Sequence, residues 1–65
     1  MRITYNGREQ EVAAPTIAAL LTQLHVAESS VAVAVNRSFV PRSQYTTMEL
    51  KDGDHIEVLE PMVGG

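Results

Sequence analysis

The chain has 65 residues, of which 45% are hydrophobic, and a net charge of −3. A chain of this size forms one small domain that buries only about 60% of its unfolded surface, so that its stability is marginal. The sequence has no Cys, which excludes disulfides, thiolate nucleophiles and thiolate zinc sites, and its basic residues are too scattered to favour nucleic-acid binding.

The apolar runs are too short to cross a membrane. The longest, residues 17–21 and 31–35, have five residues each, whereas a spanning helix needs about 20. Residues 1–4 show no secretory apolar region. We therefore expect a cytoplasmic protein without membrane partners, which the absence of Cys also fits.

The chain opens with a predicted β-hairpin. Residues 2–6 alternate between polar and apolar side chains, which is typical of a strand with one buried face. Asn6 and Gly7 predict a type I′ turn, because both residues tolerate a positive φ. The polar residues 8–12 are the predicted return strand.

A short helix is predicted next. Pro15 ends the ladder because it has no N–H to donate, and Thr16 stands at the expected N-cap position. Apolar residues then recur at the i, i+3, i+4 and i+7 spacing of one helical face. They are Ile17, Leu20, Leu21 and Leu24. The helix is predicted from Ile17 to Leu24, and a helix this short must pack on a sheet to be stable.

Three further strands are predicted by β-branched residues or by alternation. They cover residues 31–35, 39–40 and 55–60, with turns at residues 36–38 and 52–54 and a linking segment over residues 42–50. The first of these strands is apolar on both faces, which indicates a central strand with its valines toward the helix. The last has Ile56 and Val58 on one face and is expected beside the first strand of the hairpin.

These elements predict an α+β fold of the β-grasp type, a mixed sheet of four to five strands packed on one short helix. Residues 1–60 are the predicted domain, and residues 61–65 are a predicted flexible tail that ends in Gly64 and Gly65. Glycine has no Cβ, so that such an end can enter a narrow slot. Five extended residues reach at most about 17 Å. A frayed terminus is the alternative.

Five short motifs along the chain form a recognisable series. They are Thr16-Ile17-Ala18-Ala19-Leu20-Leu21, Val33-Ala34-Val35-Asn36, Phe39-Val40-Pro41-Arg42, Asp52-Gly53-Asp54-His55-Ile56-Glu57 and Gly64-Gly65. At these spacings the chain resembles, over its whole length, the sulfur carrier proteins of thiamine thiazole biosynthesis, which are ubiquitin-like β-grasp proteins.

The resemblance implies a protein co-substrate rather than an enzyme. An adenylating enzyme, similar to ubiquitin-activating enzymes, would use ATP to activate the carboxylate of Gly65. A sulfur donor such as a cysteine desulfurase would convert the acyl-adenylate to a thiocarboxylate, and thiazole synthase would take the sulfur. No bound cofactor and no metal are expected, since His25 and His55 have no carboxylate or Cys set beside them.

Partner contacts are expected in the tail and on the sheet. The candidates are Gly64, Val63, Met62, Leu59 and Phe39. Leu59 is expected opposite Ile56 and Val58, either in an exposed patch that docks the adenylating enzyme or in a satellite packing contact. Phe39 is the only Phe, and we expect packing to outrank binding for it.

Three other interpretations stay open. Pro61, close to the tail, is similar to the proline in the tail of the small subunit of molybdopterin synthase, a related sulfur carrier. A ubiquitin-like modifier would instead form amide bonds between Gly65 and lysines of other proteins. The last alternative is an interaction module whose tail is inert.

Overall fold

The computed structural model describes residues 1–60, which form a five-stranded mixed sheet and one α-helix. The strands are β1 (Arg2–Tyr5), β2 (Arg8–Glu11), β3 (Ala32–Val35), β4 (Ser38–Val40) and β5 (His55–Leu59), the helix α1 spans Ile17–Gln23, and two single-turn 3₁₀ helices span Glu28–Ser30 and Arg42–Gln44. The order across the sheet is β2-β1-β5-β3-β4. β1 and β5 are parallel, and the other neighbouring pairs are antiparallel. The predicted β-grasp architecture is confirmed, and β5 lies in the centre of the sheet beside β1.

Both hairpins turn on two residues with positive φ. Asn6 and Gly7 have φ values of 48° and 84°, and Asn36 and Arg37 have values of 50° and 71°. Two consecutive positive φ values are typical of a type I′ turn, whose twist matches that of the strands it joins. The first hairpin is as predicted. The second turn is shorter than predicted, because Ser38 already belongs to β4.

Helix α1 begins where the sequence predicted and ends one residue earlier. The Oγ1 atom of Thr16 accepts a hydrogen bond from the backbone N–H of Ala19 at 3.2 Å, which confirms the N-cap. At the other end His25 has a φ of 60°, and the N–H groups of His25 and Val26 donate to the carbonyls of Thr22 and Leu21. This is the Schellman arrangement, which usually has Gly at the left-handed position.

The core lies between α1 and the inner face of the sheet. Ile17, Leu20 and Leu21 of the helix are 0% exposed. They belong to a buried cluster that also contains Ile3, Val12, Ala14, Val33, Val35, Val40, Tyr45, Leu50, Ile56 and Val58. A fully buried aliphatic or aromatic side chain contributes about 1.5–3 kcal/mol, so that this cluster is the main source of stability in a domain without disulfides.

The segment that precedes β5 does more than link strands. The side chain of Tyr45 is 2% exposed, and its hydroxyl donates to the carbonyl of Val31 at 3.4 Å. The carbonyls of Tyr45 and Met48 accept from the N–H groups of Ala18 and Ile17 in the first turn of α1. Those N–H groups have no partner within the helix, so that this segment completes the start of α1.

Within residues 1–60, no helix is long and apolar enough to cross a membrane. Residues 61–65 lie outside the described part of the chain, and the boundary between domain and tail therefore stays a prediction.

Candidate functional site

The strand that leads to the tail, β5, is held on both sides. On one side, His55 and Ile56 pair with Thr4 and Tyr5 of β1. On the other side, four consecutive residues pair with β3, ending with Leu59 opposite Ala32. The ladder with β1 covers the first two residues of β5, and the ladder with β3 continues to its last residue. The segment after Leu59 therefore begins at a fixed point in the middle of the sheet.

The side chain of Asn6 extends the pairing of β5 beyond the end of β1. Its Nδ2 atom donates to the carbonyl of Val58 at 3.1 Å, and its Oδ1 atom accepts from the N–H of Val58 at 2.8 Å. These two bonds satisfy both backbone groups of Val58 where β1 has already ended, since an amide side chain carries the same donor and acceptor as a peptide. They hold β5 next to its last residue.

Asn36 secures the other end of β5 from the β3 side. Its Oδ1 atom accepts from the N–H of His55 at 2.9 Å, its own N–H donates to the carbonyl of His55 at 2.7 Å, and its Nδ2 atom donates to Asp54 Oδ1 at 3.0 Å. Asn36 therefore has a structural role in the turn that was predicted at residues 36–38. The two turn asparagines thus fix β5 at its first residue and near its last.

The predicted turn before β5 is confirmed and is joined to β1. Gly53 has a φ of 90°, and its N–H donates to the carbonyl of Arg2 at 2.7 Å. The carboxylate of Asp52 accepts from the N–H of Arg2 at 2.7 Å, and that of Asp54 accepts from the N–H of Lys51 at 2.8 Å. Both aspartates therefore serve the turn, as the sequence indicated.

An apolar groove, which we call the outer groove, lies on the face of the sheet opposite α1. It has a volume of about 270 Å³ and is lined by Ala32, Val33, Ala34, Arg37, Phe39, Glu57 and Leu59. Phe39 is 70% exposed and Leu59 is 68% exposed. Ala34 stands opposite both Phe39 and Glu57, and Ala32 stands opposite Leu59, so that small alanines form the floor between larger walls.

The position of Leu59 is as predicted, opposite the buried Ile56 and Val58. For Phe39 the expectation that packing outranks binding is wrong, because the neighbouring Val40 occupies the core and alternation turns Phe39 to the outer face. An exposed Phe and Leu on one face favour contact with another molecule. Their role as partner contacts stays a prediction.

A second and larger depression adjoins the outer groove and is bordered by both hairpin turns. It has a volume of about 470 Å³ and is lined by Thr4, Asn6, Gly7, Asn36, Arg37, His55, Ile56 and Glu57. Arg37 and Glu57 line both depressions. The outer face therefore carries a polar depression bordered by both turns and an apolar groove beside Phe39 and Leu59, and the two adjoin at Arg37 and Glu57.

The ion pairs of residues 1–60 lie at the start of β1. The ammonium group of Met1 is 2.9 Å from Glu11, and the guanidinium of Arg2 is 3.7 Å from both Glu9 and Glu11. The hydrogen bond from the Met1 ammonium lowers the pKa of the Glu11 carboxyl, and the positive charges of that ammonium and of Arg2 act in the same direction. These pairs are exposed and contribute little to stability.

The other site residues predicted from the sequence are Gly65 as the reacting group and Gly64, Val63 and Met62 as partner contacts. All four lie outside the described residues and stay predictions. Within residues 1–60 there is no group of three or more His, Asp or Glu side chains arranged to hold a metal ion.

Two residues of this surface were missed by sequence reasoning. The Asn6-Gly7 signal was assigned to the turn alone, although the Asn6 side chain bonds a residue 52 positions away. Arg37 was treated only as part of a turn. A basic residue at the second position of a two-residue hairpin turn, where Gly is expected, is the signal that would have drawn attention to it.

Known proteins give one consistent match. The ThiS family model matches residues 3–65. The sulfur carrier protein ThiS of Escherichia coli is 35% identical over 66 residues, which cover 100% of both chains. A thiazole synthase of Paramagnetospirillum magneticum is 38% identical over 66 residues, and this chain spans 20% of that protein's length. The crystal structure of the thiamine biosynthesis protein ThiS from Geobacter metallireducens has a TM-score of 0.85 and 33% identity, with 100% of both chains covered.

These matches agree with the fold and with the motifs from Thr16 to Gly65, and they confirm the resemblance stated from the residues. The family model spans nearly the whole chain, and both the carrier and the crystal structure align over their full lengths. The chain belongs to the ThiS family.

Proposed function

We propose that this ThiS-family chain is a sulfur carrier of thiamine biosynthesis, and that it carries sulfur on the carboxylate of Gly65. The observation that carries the proposal is the family match, which runs through the terminal Gly64 and Gly65. The fold supports it, because the central strand β5 leads to that terminus. The chain acts as a co-substrate, and its partners supply the catalytic groups.

The chemistry begins with an unreactive carboxylate. An oxygen of Gly65 attacks the α-phosphorus of ATP on an adenylating enzyme, and pyrophosphate leaves. The resulting acyl-adenylate has AMP as a good leaving group, so that a sulfur nucleophile can attack the acyl carbon. When the donor is a persulfide, as on a cysteine desulfurase, its terminal sulfur attacks and a second thiol then reduces the S–S bond. The product is a thiocarboxylate.

The sheet supplies the orientation that this chemistry needs. β5 is fixed by Asn6 at Val58 and by Asn36 at His55, so that the tail starts from a rigid base. The outer groove, with Phe39 and Leu59 exposed, docks the adenylating enzyme. Met62, Val63 and Gly64 then contact the channel that admits Gly65. Pre-organisation of this kind lowers the entropy lost on binding.

Thiazole synthase is the proposed acceptor of the sulfur. Support comes from the Paramagnetospirillum magneticum protein named thiazole synthase, one fifth of which matches this chain over its whole length. When a carrier unit and a synthase unit belong to one polypeptide, they meet at a high effective concentration. That arrangement favours a direct transfer from the carrier to the synthase. The chain itself needs no bound cofactor, since ATP is consumed on the adenylating enzyme.

An exchange assay tests the first step. The chain is incubated with the adenylating enzyme of the same organism, ATP and labelled pyrophosphate, and label returning to ATP reports reversible acyl-adenylate formation. We expect exchange with the natural chain and none with a variant that lacks Gly65. A variant with one residue added after Gly65 is the matched control for an accessible but misplaced carboxylate, and it should also be inactive. Equal exchange with all three chains would refute the proposal.

A further inference from the structure

The two hairpin turns differ at their second residue, and the difference makes the backbone of the second turn less stable. Each turn has Asn first, Asn6 and Asn36, followed by a second residue with a larger positive φ. In the first turn that residue is Gly7, which adopts such a φ without strain. In the second turn it is Arg37, with a φ of 71°, and an L-residue with a bulky side chain is destabilised there.

The turn itself does not require an arginine. Asn36 makes the bonds that tie this turn to β5. A glycine would provide the second φ more readily, as Gly7 does in the other hairpin. Arg37 also takes part in none of the three ion pairs found within residues 1–60. What the arginine adds is therefore its exposed side chain, held at a fixed point on the outer face.

That point is where the two depressions meet. Arg37 lines the outer groove together with Phe39 and Leu59, and it also lines the larger depression beside His55. A guanidinium at the rim of an apolar groove combines two kinds of contact. The apolar walls bind an apolar segment, and the planar guanidinium recognises a carboxylate or a phosphate through two parallel hydrogen bonds.

We propose that Arg37 is a recognition residue that binds a carboxylate of the adenylating enzyme while Phe39 and Leu59 bind apolar side chains beside it. The proposal rests on the proposed carrier function. It adds an acidic group that the partner must place beside Arg37, and it gives a reason for the unfavourable backbone conformation of that residue.

The geometry favours a protein carboxylate over a phosphate of ATP. β5 runs from His55 to Leu59, a rise of roughly 13 Å over four residues, and the tail follows Leu59. The turn that carries Arg37 is bonded to His55, at the opposite end of β5. An anion bound by Arg37 therefore lies at the end of β5 away from the tail, which favours a side chain of the docked partner over the nucleotide that reacts with Gly65.

The test compares Arg37→Gly with Arg42→Gln. Both remove one positive charge, but Arg42 lines neither depression. Thermal unfolding and binding to the adenylating enzyme, without and with ATP, are measured for both and for the natural chain. We expect Arg37→Gly to raise Tm by about 4 °C through relief of strain. We also expect its Kd to rise about tenfold, equally without and with ATP, while Arg42→Gln leaves both quantities unchanged.

Four results would overturn the inference. Unchanged binding by Arg37→Gly would show that Arg37 does not contact the enzyme. An unchanged or lower Tm would show that the backbone at Arg37 is not strained. An equal loss in Arg42→Gln would reduce the effect to net charge. A loss seen only with ATP would assign Arg37 to the nucleotide. In each case the carrier function still stands if the natural chain binds the enzyme, whereas failure of the natural chain to bind contradicts both proposals.

Discussion

The two faces of the same sheet have opposite tasks. The inner face packs aliphatic side chains of every second strand residue, such as Ile56 and Val58, against a helix whose buried residues are 0% exposed. The outer face carries alanines, charged residues and the exposed Phe39 and Leu59. Two adjacent residues of one strand thus have different roles: Val58 packs in the core, and Leu59 is exposed on the outer face.

The comparison shows how a chain of 65 residues combines stability with recognition. Because strand side chains alternate, each strand can give one face to the core and the other to a partner. The two faces share a backbone but direct their side chains to opposite sides of the sheet, and substitutions on them are expected to act independently. Stability and binding should therefore separate cleanly when the faces are changed one at a time.

The largest effect is expected on the free energy of unfolding, when a leucine of the core and a leucine of the outer face are each replaced by alanine. Leu20→Ala removes a fully buried side chain of α1 and should lower the free energy of unfolding by about 2–5 kcal/mol. Leu59→Ala makes the same chemical change on the outer face and should alter it by less than about 0.5 kcal/mol. Urea denaturation followed by circular dichroism measures both. Similar losses for the two variants would contradict the division between the faces.

The converse is expected for binding. Phe39→Ala and Leu59→Ala should each weaken binding to the adenylating enzyme about tenfold or more, because both remove apolar walls of the outer groove. Their Tm values should match that of the natural chain. Calorimetric titration gives the affinities, with Thr22→Ala on the exposed side of α1 as a control that should bind normally. Normal binding by both groove variants would place the docking surface elsewhere.

A smaller effect is expected at Asn6, where the first turn meets β5. Asn6→Gly keeps a residue that tolerates the φ of 48° but removes both hydrogen bonds to Val58. The loss should be about 1–2 kcal/mol, and the amide of Val58 should exchange with solvent faster. Hydrogen exchange followed by NMR measures this, with the amide of Val35 as an internal reference. Unchanged exchange at Val58 would show that Asn6 does not hold the end of β5.

The smallest effect is expected at the exposed corner of β1 and β2. The bond from the Met1 ammonium lowers the pKa of Glu11 below its ordinary value of 4.5. A carboxyl with a lowered pKa stabilises the folded state above its ordinary value, and this stability is lost as the pH falls through the lowered one. Glu11→Gln should therefore lower Tm slightly at neutral pH and not at strongly acid pH. A Tm difference that persists in acid would contradict the assignment.

Local patterns in the sequence predicted most of the fold. The Asn6-Gly7 hairpin and the helix face from Ile17 are confirmed because each depends on spacing within a few residues. The central position of the last strand is also confirmed, but it followed from the β-grasp arrangement of the predicted elements. The helix end was predicted one residue late, since His25 occupies the left-handed position that Gly usually marks. The burial of Tyr45 was not predicted, because its segment has no periodicity.

The candidate site was less predictable because it depends on distant pairs. The bonds from Asn6 to Val58 and from Asn36 to His55 join residues that are far apart in the chain, and no local pattern reveals them. Phe39 was misjudged from its residue type, although alternation with the buried Val40 would have placed it outside. The assignments of Met62, Val63, Gly64 and Gly65 come from the family resemblance and stay predictions.

In the proposed function, sulfur is carried on the carboxylate of Gly65. The most direct test of this proposal is intact-mass analysis, followed by fragmentation, after incubation with the adenylating enzyme, ATP and a sulfur donor. We predict a mass increase equal to the replacement of one oxygen by one sulfur, located on Gly65 and absent when ATP is omitted or Gly65 is deleted. An unchanged mass, or an increase located on any other residue, would contradict sulfur transfer to Gly65.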